Sequence, residues 1–452
     1  MGKEAAAPNE HNPRTAGEAG WHPSRYNLRA KVPGTDKVAI ANLYRNTYVE
    51  FSWLEAYLLN IIEELNENHP MVKSYARRGL VVNFDEREAL EAAMCAARKP
   101  TGGMVWFTVC PTMACNFDCP YCFEANRGGK MSPEVQDDVV ALAERMLDAS
   151  DAKDLYITWY GGEPLLAPDV IESLSERLIA LAEDRGVKYH AHIVTNGSLL
   201  TQDTIDLLER CRVTFVQITV DGIGATHDAT RHLKGGGATF DRIIANLRDL
   251  KLPFRVNVRA NIHKGNLSQV DDLKALTQSV SEESGNTILF YAKAVLPSVA
   301  ADERGKQVDL LSGADAATID LRMDISRTPV GDDHMCAAIS LWSVLIDAQG
   351  NLHKCAGLTA ADPEFAYGNA RDWDPADPLA TASAPDNLTK YLAWASPMQD
   401  EECRECMWLP LCGGGCPHYR LLGRRMCLPF RDDPERYVLT LHDRLDKSRQ
   451  RS

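Results

Sequence analysis

The chain has 452 residues, 45% hydrophobic and 25% charged, and its 49 Lys and Arg against 63 Asp and Glu leave a formal net charge of −14. That composition excludes collagen, low-complexity sequence and wholesale disorder, and the acidic balance argues against a general nucleic-acid binder. No apolar run approaches the roughly 18 residues a spanning helix needs, and the first 20 residues lack the apolar core of a secretory signal, so no membrane partner and a cytoplasmic location are expected.

Residues 1–20 are small, polar and punctuated by Pro8 and Pro13, and read as a flexible tail. Residues 21–100 read as a small unit of their own. KVAIANLY and TYVEFS are predicted to pair as strands that turn near Arg45 and Asn46. Ser52 can cap a following helix with Glu55 at N3, and Trp53, Leu54, Tyr57, Leu58, Ile61, Ile62 and Leu65 recur at helical spacing. A second helix is expected over about 67–78, ended by Gly79, then a short strand in LVVNF and a helix in DEREALEAAMCAARK. A cap on the main domain is the plain expectation for this unit.

Residues 101–300 alternate. The strands VWFTV, LYITWY, KYHAHIVTN, TFVQITVDG, PFRVNVRANI and TILFYAKAV are separated by amphipathic helical stretches. This order predicts an α/β fold with a parallel sheet, and six units fall short of an eight-fold closure, so a partial (β/α)6 TIM-type barrel is expected. Residues 301–335 form a bridge, residues 336–430 are rich in Gly, Pro and Cys, and residues 431–452 read as a C-terminal helix.

Thirteen cysteines stand at 95, 110, 115, 119, 122, 211, 336, 355, 403, 406, 412, 416 and 427. A reducing cytoplasm rarely builds disulfides, so grouped thiols point to metal or clusters. Cys115, Cys119 and Cys122 are spaced C-x3-C-x2-C just after the first barrel strand. Three thiolates so spaced can hold a cubane and leave its fourth iron open to a ligand. A zinc site short of one ligand is the alternative. The later group runs Cys336-x13-Gly350-x4-Cys355, then Cys403-x2-Cys406-x5-Cys412-x3-Cys416 and ten residues to Cys427. Taken alone, it favours a zinc ribbon over clusters, and the upstream group reverses that order. DAQGNLHKC reads as a hairpin turn that returns Cys355 toward Cys336. Cys95, Cys110 and Cys211 read as packed structural thiols.

The first group, with Tyr121 before its last cysteine, resembles the signature of the radical SAM enzymes. Three further stretches match in order: Gly161-Gly162-Glu163-Pro164 after the second strand, Thr195-Asn196-Gly197 after the third, and Thr219-Val220-Asp221-Gly222 after the fourth. The resemblance implies that Tyr121 packs on the adenine of S-adenosylmethionine, and that the backbone of Gly161, Gly162 and Pro164, with Glu163, meets its amino group. It implies that Asn196, Thr219 and Asp221 line the cofactor and that Arg231 faces its carboxylate. A reduced cluster would then split the cofactor to a 5′-deoxyadenosyl radical that abstracts hydrogen from an unactivated carbon.

The C-terminal group resembles the SPASM extension of that family at every internal spacing. The resemblance implies three 4Fe–4S clusters: one that binds S-adenosylmethionine, an outer auxiliary one on Cys403, Cys406, Cys412 and Cys427, and an inner one on Cys336, Cys355 and Cys416. The inner set is one ligand short, so its cluster has an open iron or borrows a ligand. The combination looks like the maturases of ribosomal peptides, in several of which a winged-helix-like front unit binds the precursor leader as an added strand. The implied partners are a precursor peptide and a flavodoxin- or ferredoxin-type electron donor, and the implied product is a thioether or carbon–carbon crosslink. A sulfatase-activating, protein-oxidising maturase and a non-enzymatic iron–sulfur carrier or peptide scaffold are the alternatives.

Overall fold

The computed structural model describes residues 20–98, 103–122, 124, 129–295, 308–312, 315, 319, 338, 340–357, 365–394, 396–421, 423, 425, 427, 428 and 430–449. The expectations for the flexible tail, for most of the bridge and for Cys336 lie outside these residues, as does the side chain of Cys95.

The central sheet follows the predicted alternation. Strands β6 (Met104–Val109), β7 (Asp154–Trp159), β8 (Lys188–Thr195), β9 (Val213–Thr219), β10 (Arg255–Ile262) and β11 (Ile288–Ala294) lie side by side in chain order. Each neighbouring pair is parallel. The chain therefore has the α/β architecture expected for a partial TIM-type barrel. Along β7, Leu155, Ile157 and Trp159 are buried while Tyr156 is not, the period-two pattern of a strand with unlike faces. The buried face packs on the helices Pro133–Asp148 and Pro168–Asp184 through Val139, Leu142, Met146, Leu174 and Leu178. Both helices begin with Pro, which needs no N–H partner there.

The sheet extends further than the six repeats predict. Strand β12 (Ser343–Ile346) adds parallel to β6, with Ser343 opposite Trp106 and Ile346 opposite Val109. It turns through Gly350 at φ 84° into the antiparallel β13 (Asn351–His353), and β14 (Gly368–Asn369) follows. Asp347 holds this turn by accepting from the amides of Gln349 and Asn351, each at 2.9 Å. The predicted hairpin is thus anchored to the first barrel strand, and it delivers Cys355 to the barrel mouth.

The N-terminal unit starts with β1 (His22–Pro23), which pairs with β5 (Val81–Val82). Strands β2 (Asn27–Lys31), β3 (Lys37–Asn42) and β4 (Thr47–Ser52) form an antiparallel sheet in which β4 is an edge. Asn42 opposes Thr47 across the expected turn, where Asn46 adopts φ 50°. Ser52 and Glu55 form the expected capping box on helix α1 (Trp53–Asn60). The apolar stripe on α1 is less buried than its spacing suggests: Ala56 and Leu59 are covered, whereas Trp53, Leu54 and Tyr57 are exposed, with Trp53 stacked on Tyr57. The sheet rests on the C-terminal region. Leu28, Ala39 and Leu90 share a core with Trp408, Phe430 and with Tyr437 and Val438 of the final helix, Pro434–Arg449. Among the described residues, no helix is long and apolar enough to cross a membrane.

Candidate active site

One cavity of about 350 Å³ opens at the C-terminal ends of the barrel strands, the rim where β/α folds bind ligands. Cys115, Cys119 and Cys122 line it, with Tyr121, Gly161, Gly162, Asn196, Thr219 and Arg231. Cys355 and Cys416 line the same cavity. Burial drives the first thiols toward their protonated form: Cys115 is pushed up to about 11, Cys122 to about 12, and Cys119 upward. Such thiols become thiolates when a metal replaces their protons.

The cysteine loop is fixed by backbone contacts. Asp118 N donates to His232 O at 3.2 Å, and Lys234 N donates to Asn116 O at 2.8 Å. From the next strand, Gly162 N donates to Thr112 O and Glu163 N to Ala114 O. Gly161 has φ 106°, and a Cβ there would lie 2.5 Å from Thr112 O; a Cβ on Gly162 would collide with Ala114 O. The paired glycines therefore let the second loop lie flush against the loop that carries the thiols.

Glu163 stands behind the wall rather than in the cavity. Its fully buried carboxylate accepts from Leu165 N at 3.0 Å, Thr195 Oγ1 at 2.7 Å and Asn196 N at 2.7 Å. Burial pushes its pKa up, and these three donors oppose that push. The carboxylate locks the second loop to the third, while Gly161 and Gly162 line the chamber. Pro164 is buried at the start of the short turn Pro164–Leu166 and also stays outside the cavity wall.

Asp221 is fully buried beneath Tyr121. Tyr121 Oη donates to Asp221 Oδ2, and the amide of Asn261 donates to Oδ1 at 2.7 Å. Arg231 Nη1 donates to Tyr121 Oη at 2.8 Å and lies 3.8 Å from Asp221 Oδ2. Arg231 Nε is buried without a hydrogen-bond partner, so one guanidinium position at the cavity remains open to an acceptor. The adenine-facing aromatic expected at 121 is thus tethered by its hydroxyl to the two charged residues expected at 221 and 231.

Several supporting residues carry no motif signal. Asn196 Nδ2 donates to Asn116 Oδ1 at 2.7 Å, and Ser198 donates to Asn196 Oδ1 from both its amide and its hydroxyl. His227 accepts from Asp221 N at 3.2 Å through Nδ1 and meets Thr239 Oγ1 through Nε2 at 3.1 Å. Gln217, Arg259 and Asn261 add polar groups to the cavity wall. Asn116 differs from the others in lying within the cysteine motif.

The outer thiols form a second pocket. Cys403, Cys406, Cys412 and Cys427 line it together, with Trp408, Arg425 and Arg431. Asp400 caps the helix Glu401–Arg404 by accepting from the amides of Glu402 and Cys403. Arg431 Nη1 donates to Cys427 Sγ at 3.3 Å. Gly413, Gly414 and Gly415 all have φ between 60° and 82°, and a Cβ on Gly414 would strike Pro397. Arg420, buried, donates to the carbonyl of Gly414. This is the close backbone packing expected of the triple glycine. Among the described residues, no three His, Cys, Asp or Glu side chains converge at the spacing of a single ion. Thiols that instead ring a pocket suit a group of several atoms. Cys110 and Cys211 are buried outside both sets, as expected for structural thiols.

Residues 109–273 match the model of the radical SAM superfamily. The Fe-coproporphyrin III synthase of Methanosarcina barkeri (strain Fusaro / DSM 804) is 25% identical over 339 residues, 67% of this chain and 80% of that protein. The sporulation killing factor maturation protein SkfB of Bacillus subtilis (strain 168) is 27% identical over 201 residues, 44% of each chain. The structure of native anSMEcpe with bound AdoMet and Cp18Cys peptide superposes with a TM-score of 0.54 at 18% identity, over 77% of this chain and all of that one, a likeness of fold. The family works with a 4Fe–4S cluster and S-adenosylmethionine, and the thiol loop with its glycine cradle and open Arg231 Nε suits both. With that loop on the rim of a parallel barrel, residues 109–273 are a radical SAM domain.

Proposed function

We propose that the chain is a SPASM-type maturase that crosslinks a ribosomally made precursor peptide through a thioether or carbon–carbon bond. The observation that carries this reading is the shared cavity: Cys355 and Cys416 face the same chamber as Cys115, Cys119 and Cys122. A cluster held by the inner thiols would sit across the substrate space from the cofactor. The names of two similar proteins, a maturation protein and an enzyme bound to a peptide, support a peptide substrate.

When bound, S-adenosylmethionine and its cluster supply the hydrogen-abstracting 5′-deoxyadenosyl radical. The chain's own residues prepare the space. Cys115, Cys119 and Cys122 hold the cluster; the backbone of Gly161 and Gly162 borders the cofactor's amino group; Arg231 Nε is placed for its carboxylate. Glu163 and Asp221 keep these elements in register. Cys403, Cys406, Cys412 and Cys427 would hold an outer auxiliary cluster, and a flavodoxin- or ferredoxin-type protein would be the electron donor. The free edge of β4 takes the precursor leader as a fourth strand of the N-terminal sheet.

The test is anaerobic incubation of the reduced protein with S-adenosylmethionine and short peptides encoded beside its gene. A peptide product lighter by two hydrogens, with fragmentation that locates a crosslink, is the expected result. A tetrapyrrole substrate is a second reading, favoured by the coproporphyrin-named relative, 80% of whose length this chain covers. Turnover of a coproporphyrin with no change in any peptide would replace the peptide reading. Formylglycine in a sulfatase fragment would favour the protein-oxidising alternative. Absence of any 5′-deoxyadenosine would leave only a carrier or scaffold.

A further inference from the structure

Strand β10 presents Asn257, Arg259 and Asn261 on the face opposite its buried Val256, Val258 and Ala260. Asn261 stands among the cofactor residues, where its amide holds Asp221. Arg259 lies one alternation earlier on the same face, in register with Thr219 of β9 and Tyr291 of β11. It is half-buried and lines the cavity that also takes in the three thiols of the first cysteine group. No contact assigned to the cofactor uses it.

The chain gives this cation no anion of its own. Among the described residues Arg259 forms no salt bridge, and its Nε donates to the neutral Asn261 Oδ1 at 2.9 Å. The carboxylate of Asp221 is taken: Tyr121 Oη donates to Oδ2, Asn261 N donates to Oδ1, and Arg231 Nη1 lies 3.8 Å from Oδ2. Tyr291 spends its hydroxyl on Gln217 Oε1 at 2.5 Å, and Gln217 lines the cavity beside Arg259. A cation withdrawn from water pays a desolvation cost that only a well-placed anion offsets.

S-adenosylmethionine does not supply that anion. Its one carboxylate is the group for which the open Arg231 Nε is placed, and its sulfonium is a cation that Arg259 repels. The anion therefore comes with the substrate. A planar guanidinium fork fits the paired oxygens of a carboxylate. Because Asp221 already matches Arg231, a single positive charge is left, which suits a singly charged carboxylate better than a phosphate dianion.

We propose that Arg259 anchors a carboxylate of the substrate and thereby sets which substrate carbon faces the cofactor. The carboxylate is an Asp or Glu side chain of a precursor peptide, and a porphyrin propionate is the other source of the same chemistry. Arg259 is a specificity-determining residue in this role. The inference rests on the reading of the cavity as the substrate chamber.

The test is binding and turnover by the anaerobic, cluster-loaded full chain with S-adenosylmethionine and two pairs of probes. The first pair is the peptide encoded beside the gene and the same peptide with every Asp and Glu changed to Asn and Gln. The second is coproporphyrin III and its tetra-amide. The native protein should prefer the carboxylate member of one pair by roughly tenfold or more, the scale of a lost charge pair. That preference needs no variant to be seen. It should vanish in Arg259→Gln and return in part in Arg259→Lys, with KM moving more than kcat and iron content verified in each. No preference in either pair, or a preference that survives Arg259→Gln, overturns the proposal. An equal loss of S-adenosylmethionine affinity in Arg259→Gln also overturns it, by placing the guanidinium on the cofactor. A crosslinked peptide without any carboxylate preference sinks the anchor and leaves the peptide reading standing. A preference confined to coproporphyrin keeps the anchor and removes the peptide reading.

Discussion

Glu163 accepts the amide of Asn196 at 2.7 Å through a carboxylate that solvent does not reach. The bond joins the loop after β7 to the loop after β8, and both loops wall the cavity. Glu163→Gln puts an amide NH2 among donors from Leu165, Thr195 and Asn196. The expected cost is about 1–3 kcal/mol of stability, from a buried donor left facing donors. Thermal denaturation should show it, and affinity for S-adenosylmethionine should fall in step. Unchanged stability and affinity would mean that the carboxylate does not hold these loops.

Gly162→Ala drives a Cβ into the carbonyl of Ala114, one residue before Cys115. The thiol loop must move, so iron loading of the first site should drop at least several-fold while the outer site stays filled. Gly186→Ala is the control. Its φ of 64° also strains an alanine, but no atom lies within 4 Å of the new methyl. It should cost about 1 kcal/mol of stability and leave iron content unchanged. Equal iron loss in both variants would show a general folding defect instead.

Tyr121→Phe keeps the ring and deletes only the hydroxyl that links Asp221, Arg231 and Asn261. A hydrogen bond to a charged buried group contributes about 1.5–3 kcal/mol. Cofactor affinity should fall by about tenfold or more, because Arg231 loses the contact that fixes its angle. Calorimetry on the cluster-loaded protein measures this. An unchanged affinity would assign the work at 121 to the ring alone.

His227 gives the site a pH dependence. Its Nδ1 accepts from Asp221 N, so the neutral ring carries its proton on Nε2 toward Thr239, whose hydroxyl reaches Arg231 O. Burial, reinforced by Arg231, lowers its pKa to about 3. The unfolded chain therefore binds a proton near pH 6.5 that the folded chain refuses. This contribution to stability is complete above about 6.5 and is lost as pH falls toward 3, by up to about 1.4 kcal/mol per pH unit. His227→Gln should flatten the melting-temperature profile between pH 6.5 and 4.5, and an unchanged slope would contradict the argument.

Local pattern reached much of this architecture. Alternating burial along Leu155, Ile157 and Trp159 is a property of neighbouring residues, as is the Ser52–Glu55 cap, and both are legible in a short window. The cysteine spacings are equally local. Strand β2 is hard to read locally, because its core-facing Leu28 and Ala30 alternate with Asn27, Arg29 and Lys31 over only five residues. The attachment of β12 to β6 joins residues more than 200 positions apart, which no periodicity records. The supporting network is invisible for the same reason: Asn116 and Asn196 are 80 residues apart, and Glu163 and Asn196 are 33 apart. The motifs mark residues of both kinds, Gly161 and Gly162 on the cavity wall and Glu163 behind it, and only the folded chain shows which is which.

The most direct measurement is cleavage of S-adenosylmethionine by the anaerobic, reduced, cluster-loaded protein, read as 5′-deoxyadenosine and methionine by mass spectrometry. The account predicts both products from the native chain. It predicts none from the Cys115→Ala/Cys119→Ala/Cys122→Ala variant, which keeps its auxiliary iron. Cleavage that persists in that variant, or a native protein that binds only zinc at these thiols, would contradict it.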